Sequence, residues 1–244
     1  MPKYPNNPII EALCEFRFSV QEPWDVTIAG LIYQEIRDQF PQKKQDAGFE
    51  IKARPTEKGI EQLIEVIPSK IRFISEDGSK MVQLVPNSLV INHLRPYPVW
   101  DQFKKIIIEN FKLYNKIAKP SEIIRIGLRY INKIYLPLGA KIEDYFNFYP
   151  TLPKELPQEI GKLNLRLEMP FGEEERLILW LREIPSEKDH SEEISFILDL
   201  DYISFQKRNP KNIGDIEDYL DKTNYNLYSA FENCLTEKCK EKFK

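Results

Sequence analysis

The chain carries little from which a protein-borne metal site or a phosphate loop could be built. Histidine occurs twice and cysteine three times in 244 residues. His93 stands at the end of a predicted strand before Arg95-Pro96, and His190 sits in a charged loop beside Asp189. Neither has a partner at ligand spacing, and no Cys-x-x-Cys, His-x-x-x-His or His-Glu-x-x-His occurs. Cys234 and Cys239, five apart on a predicted helix, do not share a face. The nine glycines form no dinucleotide fingerprint, P-loop or nucleophile elbow. No cofactor is expected, and an enzymatic reading is not favoured.

Charge of one sign is lacking as well. The 35 basic and 38 acidic residues leave a net charge of −3. A nucleic-acid surface ordinarily shows as a basic excess or a concentrated stripe, so nucleic acid ranks behind protein as a partner. No apolar run approaches the ~20 residues of a membrane span. Met1-Pro2-Lys3-Tyr4-Pro5 has no signal-peptide core, and three scattered cysteines read as reduced thiols. A cytoplasmic location is expected. With 42% hydrophobic and 30% charged residues, the composition is that of a folded globular chain.

What is there is organised around Ser121–Pro137. Ile124, Ile126, Leu128, Tyr130, Ile134 and Leu136 alternate onto one predicted face, and Arg125, Gly127 and Arg129 onto the other. The glycine marks a bend or a close approach of another group. Before it, residues 9–20 read as a strand with Ala12, Cys14, Phe16, Phe18 and Val20 on one side. Helical spacing follows from Trp24 to Phe40 through Ile28, Leu31, Ile32 and Ile36, with Asp25 and Thr27 as N-cap oxygens. Strands are predicted at 49–55, 61–67, 70–76, 81–86 and 89–94, joined by short turns, hence an antiparallel meander. A long helix spans 99–117, with Trp100, Phe103, Ile107, Phe111, Tyr114 and Ile117 as its apolar stripe.

The second half repeats this order. A short helical piece at 142–146 and an irregular proline-bearing excursion at 149–161 follow the central strand. Strands are predicted at 163–171, 176–184 and 194–206, then a helix from 213 to about 237 and a charged, frayed tail. The reading is an α+β fold of two halves, 1–120 and 121–244, in one compact unit with a shared core. Its antiparallel sheet carries the long helices on one face, a TATA-binding-protein-like or helix-grip-like topology with internal duplication. The open edges of such a sheet predict a homodimer.

Chemistry is sparse. Asp199 and Asp201 alternate with Leu198, Leu200 and Tyr202, so both carboxylates share one strand face. Such a pair can hold a divalent ion or do acid–base work, and more often it pairs with arginines across a sheet. Arg125 and Arg129 are the arginines at hand, with Glu11, Glu15 and Arg17 on the first strand. The corner from Ile91 to Trp100 concentrates hydrogen-bonding groups and aromatics, either as a capped core corner or as the rim of a cleft. The candidate binding residues are therefore Arg17, Arg125, Arg129, Tyr130, Asn92 and His93.

Tyr4-x-x-x-Pro8-Ile9-x-Glu11-Ala12 with Glu15-Phe16-Arg17-Phe18 resembles the start of a sporadically distributed, uncharacterised prokaryotic family. Asn92-His93-Leu94-x-Pro96-Tyr97-x-x-Trp100-x-x-Phe103 and Arg125 through Asn132 resemble its middle, and Phe231-x-x-x-Leu235-Thr236 its end. The resemblance spans nearly the whole chain. It implies mobile elements, defence loci or toxin–antitoxin-like pairs, and it transfers no catalytic residue.

Three expectations follow. The first is a non-enzymatic interaction protein with a protein partner. The second is a nucleic-acid or nucleotide binder using the strand-face arginines, with Tyr130 as a stacking group. The third is a metal-dependent hydrolase or nuclease built on Asp199 and Asp201.

Overall fold

The computed structural model describes residues 4–19, 25, 27–56, 59–158, 160–185 and 192–244, and for 47–56 and 59–69 the backbone alone. Trp24, Asp189 and His190 lie outside the described residues. The fold is α+β: the described residues form one open antiparallel sheet of nine strands and four helices, the last a single turn.

The two strands read first from the sequence pair at the centre. β1 (Ile9–Phe18) runs antiparallel to β6 (Ile123–Pro137), with Cys14 opposite Leu128 and Glu15 opposite Gly127. On one flank β5 (Ser88–Leu94), β4 (Lys80–Val85), β3 (Gly59–Ile74) and β2 (Gln42–Thr56) follow β1 outward. On the other, β9 (Glu193–Ser204), β8 (Glu175–Ile184) and β7 (Asn164–Pro170) follow β6. Each flank is a meander, as the short turns predicted; Asp77-Gly78 makes one of them, with Gly78 at a φ of 73° that suits a residue without Cβ.

The first meander has four strands, where five were predicted. Residues 61–67 and 70–76 belong to one long strand, β3, and Pro68 between them lies where its pairing with β2 slips register between Asp46 and Gly48. A proline lacks the N–H that a regular ladder requires, so it is confined to edges and irregularities of this kind. A second correction has the same origin. Ile124 was placed with Ile126 and Leu128, yet it is exposed while Ile123 is fully buried. The register shifts between Arg17 and Phe18, so the alternation slips there by one residue.

The helices cover one face of the sheet. α2 (Trp100–Ala118) buries Trp100, Phe103, Ile107, Phe111 and Tyr114 against it, and ends where Lys119 turns left-handed at φ 47° before Pro120. Phe16 meets Phe111 with ring centroids 4.6 Å apart, and Phe18 stacks on Tyr114 at 4.8 Å. Such aromatic pairs add about 0.5–1.5 kcal/mol beyond the area they bury. α3 (Ile213–Cys234) is capped by Asn212, whose side chain accepts from the Asp215 N–H, and buries Ile216, Leu220, Leu227 and Phe231. The Trp100 indole N–H and Lys104 both reach Asp221, which ties α2 to α3. α1 (Thr27–Ile36) starts where Asp25 accepts from the Thr27 N–H. It buries Ala29, Ile32 and Ile36 but leaves Leu31 half exposed, contrary to its place in the expected stripe. The residues buried beneath the helices form one hydrophobic cluster drawn from both halves of the chain.

The C-terminus corrects the expectation of a frayed tail. After α4 (Glu237–Lys240), a 3-10 turn at Glu241–Phe243 buries Phe243, whose carbonyl accepts from the Asn6 N–H. Tyr4 meets Phe243 edge-on and donates to Glu232. The piece predicted as helix at 142–146 is a single 3-10 turn, Ile142–Asp144.

Candidate functional site

Alternate residues of the central strands point away from the helices. Read across the register from β5 through β1 and β6 to β9, one row is Val90, Glu15, Gly127 and Ile203; the next is Asn92, Leu13, Arg129 and Asp201. A third row is Leu94, Glu11, Ile131 and Asp199. All of these but Leu94, Asp199 and Ile203, with Arg17, Arg125, Gln83 and the β4–β5 turn, surround an open groove of about 860 Å³. The groove exists because no helix of the described residues packs on this side.

Its charges are paired. The Arg129 guanidinium grips Asp199 as a fork, Nε to Oδ1 at 2.7 Å and Nη2 to Oδ2 at 2.5 Å. Asp199 is almost completely buried, with 3% of its side chain exposed, whereas Arg129 keeps 32%. That bidentate bond holds the Arg129 cation above its ordinary value, against the opposing effect of burial. Arg125 reaches Glu15, and burial pushes its guanidinium below the usual value. Glu15 also accepts from Arg17 Nε at 2.9 Å and from the Ser88 hydroxyl. Beside them the Asn92 amide donates to Glu11 at 2.6 Å and accepts from Gln83 at 2.5 Å.

Asp201 is the exception. It lines the groove and accepts no hydrogen bond among the described residues. Burial pushes its carboxyl up to about 6, while Arg125 and Arg129 pull the other way. Gly127 lies beneath it: a Cβ there would meet Asp201 Oδ1 at 3.6 Å and Arg125 Nη2 at 3.7 Å. The space over the glycine is therefore taken by these two side chains.

Between the charges lie apolar groups. Leu13, Val90 and Ile131 are partly exposed in the groove. None was singled out from the sequence. The available signal was their phase, because Leu13 falls between Glu11 and Glu15 on a face that otherwise carries charge.

Of the predicted site residues, Arg17, Arg125, Arg129 and Asn92 come together here. Tyr130 and His93 do not. Both point to the helix side and are buried. The Tyr130 hydroxyl donates to Asn224 at 2.8 Å and meets the Tyr97 hydroxyl at 3.1 Å, so its ring is a core ring and not a stacking platform beside the arginines. His93 Nδ1 lies 2.8 Å from the Leu94 carbonyl oxygen, and its ring meets Tyr97 and Phe103 edge-on. Burial holds its imidazole below the ordinary value. Asn92 and His93 are neighbours in sequence on opposite sides of the sheet.

Asp199 and Asp201 do share a face, as their alternation predicted. Asp199, however, spends both oxygens on Arg129. Among the described residues no group of three or more His, Cys, Asp or Glu side chains is placed to hold a metal ion. Cys14, Cys234 and Cys239 are free, buried thiols, and burial pushes the last two up to about 12. No described helix is long and apolar enough to cross a membrane.

No protein-family model matches this chain, and no curated protein or solved structure matches it.

Proposed function

We propose that this chain is a non-enzymatic binding protein that holds a polypeptide segment of a partner in the groove on the helix-free face of its sheet. One observation carries the reading: an apolar floor of Leu13, Val90 and Ile131 lies uncovered among charged groups already oriented by hydrogen bonds. An apolar centre within a polar rim is the anatomy of a protein interface. The groove presents Glu11, Glu15 and Asp201 against Arg17, Arg125, Lys70 and Arg129, the last of them held by the buried Asp199. That balance matches a segment carrying both signs better than a polyanion, whose recognition calls for uncompensated cations.

The finer architectural reading belongs to the same proposal. The sheet order places β1 beside β6, each followed outward by its own meander, with α2 and α3 closing the two halves. That arrangement supports an internally duplicated, TATA-binding-protein-like fold, a topology whose open sheet face is free to bind. Such a binder fits a cytoplasmic partner pair of the mobile-element or defence type.

The test is site-specific cross-linking. A photoreactive residue at Leu13 or Ile131 is expected to capture a protein that one at Leu138, exposed away from the groove, does not. Equal capture from all three positions refutes the groove. Capture of a second copy of this chain instead makes the groove a homodimer interface. A salt-sensitive shift with RNA that Arg129→Ala abolishes would move the reading to nucleic acid.

A further inference from the structure

A second site lies away from the groove, where the C-terminal end of α2 meets the turn from β9 into α3. A cleft of about 530 Å³ opens there, lined by Lys112, Lys116, Lys119 and Lys211 with Asn115, Asn209 and Ser121. Four lysines thus line one cleft that has no carboxylate in its lining. Lys112 approaches Glu217 outside the cleft at 3.9 Å, the limit of an ion pair. Lys116, Lys119 and Lys211 form no ion pair among the described residues. Some lysines elsewhere are matched closely, as Lys104 is to Asp221 at 2.8 Å and Lys238 to Asp144 at 2.7 Å, while others such as Lys141 and Lys154 stand apart singly; what sets these four off is that they line one cleft.

Helix polarity accounts for part of this. Cations near a helix C-terminus are favourable, so Lys116 at the end of α2 needs no ligand to be there. It does not account for the rest. Lys112 and Lys116 are one turn apart on α2, a like-charge spacing that opposes helix formation. Lys211 is brought in from a different element, which the Asn115 amide holds against α2 by donating to the Pro210 carbonyl at 3.0 Å. Lys119 occupies a left-handed position, φ 47°, where glycine or asparagine is the usual residue. A side chain with cationic function stands there in place of the residue the backbone favours.

We infer that this cleft binds a multiply charged phosphate group, carried either by a nucleotide or by a free oligophosphate. Its volume of about 530 Å³ admits a chain of phosphates. Lysine suits such a ligand as a mobile point charge, and the Asn209 amide, whose oxygen accepts from the Lys211 N–H, keeps its NH2 as a neutral donor. The inference is independent of the groove, because the two sites share no lining residue.

The test is calorimetric titration of the intact chain at low ionic strength with tripolyphosphate, ATP and adenosine. Tripolyphosphate is expected to bind with an affinity that falls as salt rises, and to weaken at least tenfold in Lys116→Ala/Lys211→Ala. Both positions are exposed, so that variant should melt with the wild type. ATP binding more tightly than tripolyphosphate names a nucleotide; equal affinities name the phosphate chain alone. The inference is overturned by absent tripolyphosphate binding, or by binding that the double variant retains. Lys104→Ala, away from the cleft, should bind as the wild type does, and an equal loss there would mark nonspecific attraction and also overturn it.

Discussion

The two faces of the central strands are made from adjacent residues and do opposite things. Phe16 lies between Glu15 and Arg17, and Leu128 between Gly127 and Arg129. On the helix side polar groups are few and close on one another, as Tyr97, Tyr130 and Asn224 do. On the open side charged groups are many, and most of them are paired, yet Leu13, Val90 and Ile131 remain among them with nothing over them. Burial under helices fixes the fold. Orientation without burial leaves a surface whose ordering cost is met before any partner arrives, which is what preorganised binding requires.

The largest test of that contrast sets one strand residue against another. Phe16→Ala empties a fully buried site that is packed on Phe111, and is expected to cost about 3–5 kcal/mol. At about 2–4 °C per kcal/mol for a chain of this size, the melt should fall by roughly 10 °C. Ile131→Ala on the open face should cost under about 1 kcal/mol, because it has water on one side. Equal losses in thermal melts would mean that the two faces are alike.

The Arg129–Asp199 fork comes next, since it is the part of the open face closest to core. Arg129→Ala leaves Asp199 buried without its cation, and the expected loss is about 3 kcal/mol, toward the low end for a broken buried pair because Arg129 is a third exposed. Arg129→Met/Asp199→Leu should recover most of that loss, as an apolar pair of similar volume replaces both charges. A double variant no more stable than Arg129→Ala in urea titration would show that the fork contributes more than its charges.

How much of this was legible follows from periodicity. The central strand, both meanders, the two long helices and the sharing of one face by Arg125 and Arg129 were read from alternation and helical spacing. The misreadings fall where the alternation is broken or where local pattern says nothing. Ile124 slipped face because a register shift leaves no mark in a run of isoleucines. The predicted break between 67 and 70 is an irregularity at Pro68 inside one strand. Tyr130 is next to Arg129 in sequence and His93 next to Asn92, but in a strand immediate neighbours point apart, so each lies on the face opposite its neighbour. The lysine cleft joins residues about a hundred positions apart, which no local pattern reports.

A smaller effect concerns Asp201. Its folded carboxyl is raised to about 6 from an ordinary 3.8, so between about pH 4 and 6 the folded state holds a proton that the unfolded state has released. Stability from this group is therefore present at low pH, falls as pH rises through that window and is flat above it. At about 1.4 kcal/mol per pH unit the penalty at neutral pH is at most about 3 kcal/mol. Asp201→Asn should raise the melt at pH 7 and leave it unchanged at pH 4. The same increment at both pH values would mean that the carboxyl does not titrate in this window.

The smallest expected effect probes the outermost charge of the face. Arg17 keeps 54% of its side chain in solvent and pairs with Glu15, which also holds Arg125 and the Ser88 hydroxyl. An exposed pair of this kind contributes about 0–1 kcal/mol, and its loss leaves Glu15 neutralised by Arg125. Arg17→Ala should therefore melt within a degree or two of the wild type. If the groove holds a charged partner segment, the same variant should lower the yield of cross-linking from Ile131, and the remaining yield should depend less on salt, since a rim cation acts mainly on encounter. A melt that instead falls by many degrees would place Arg17 in the structural framework. The open face would then serve the fold as the covered face does, and no charge on it would be free to serve a partner.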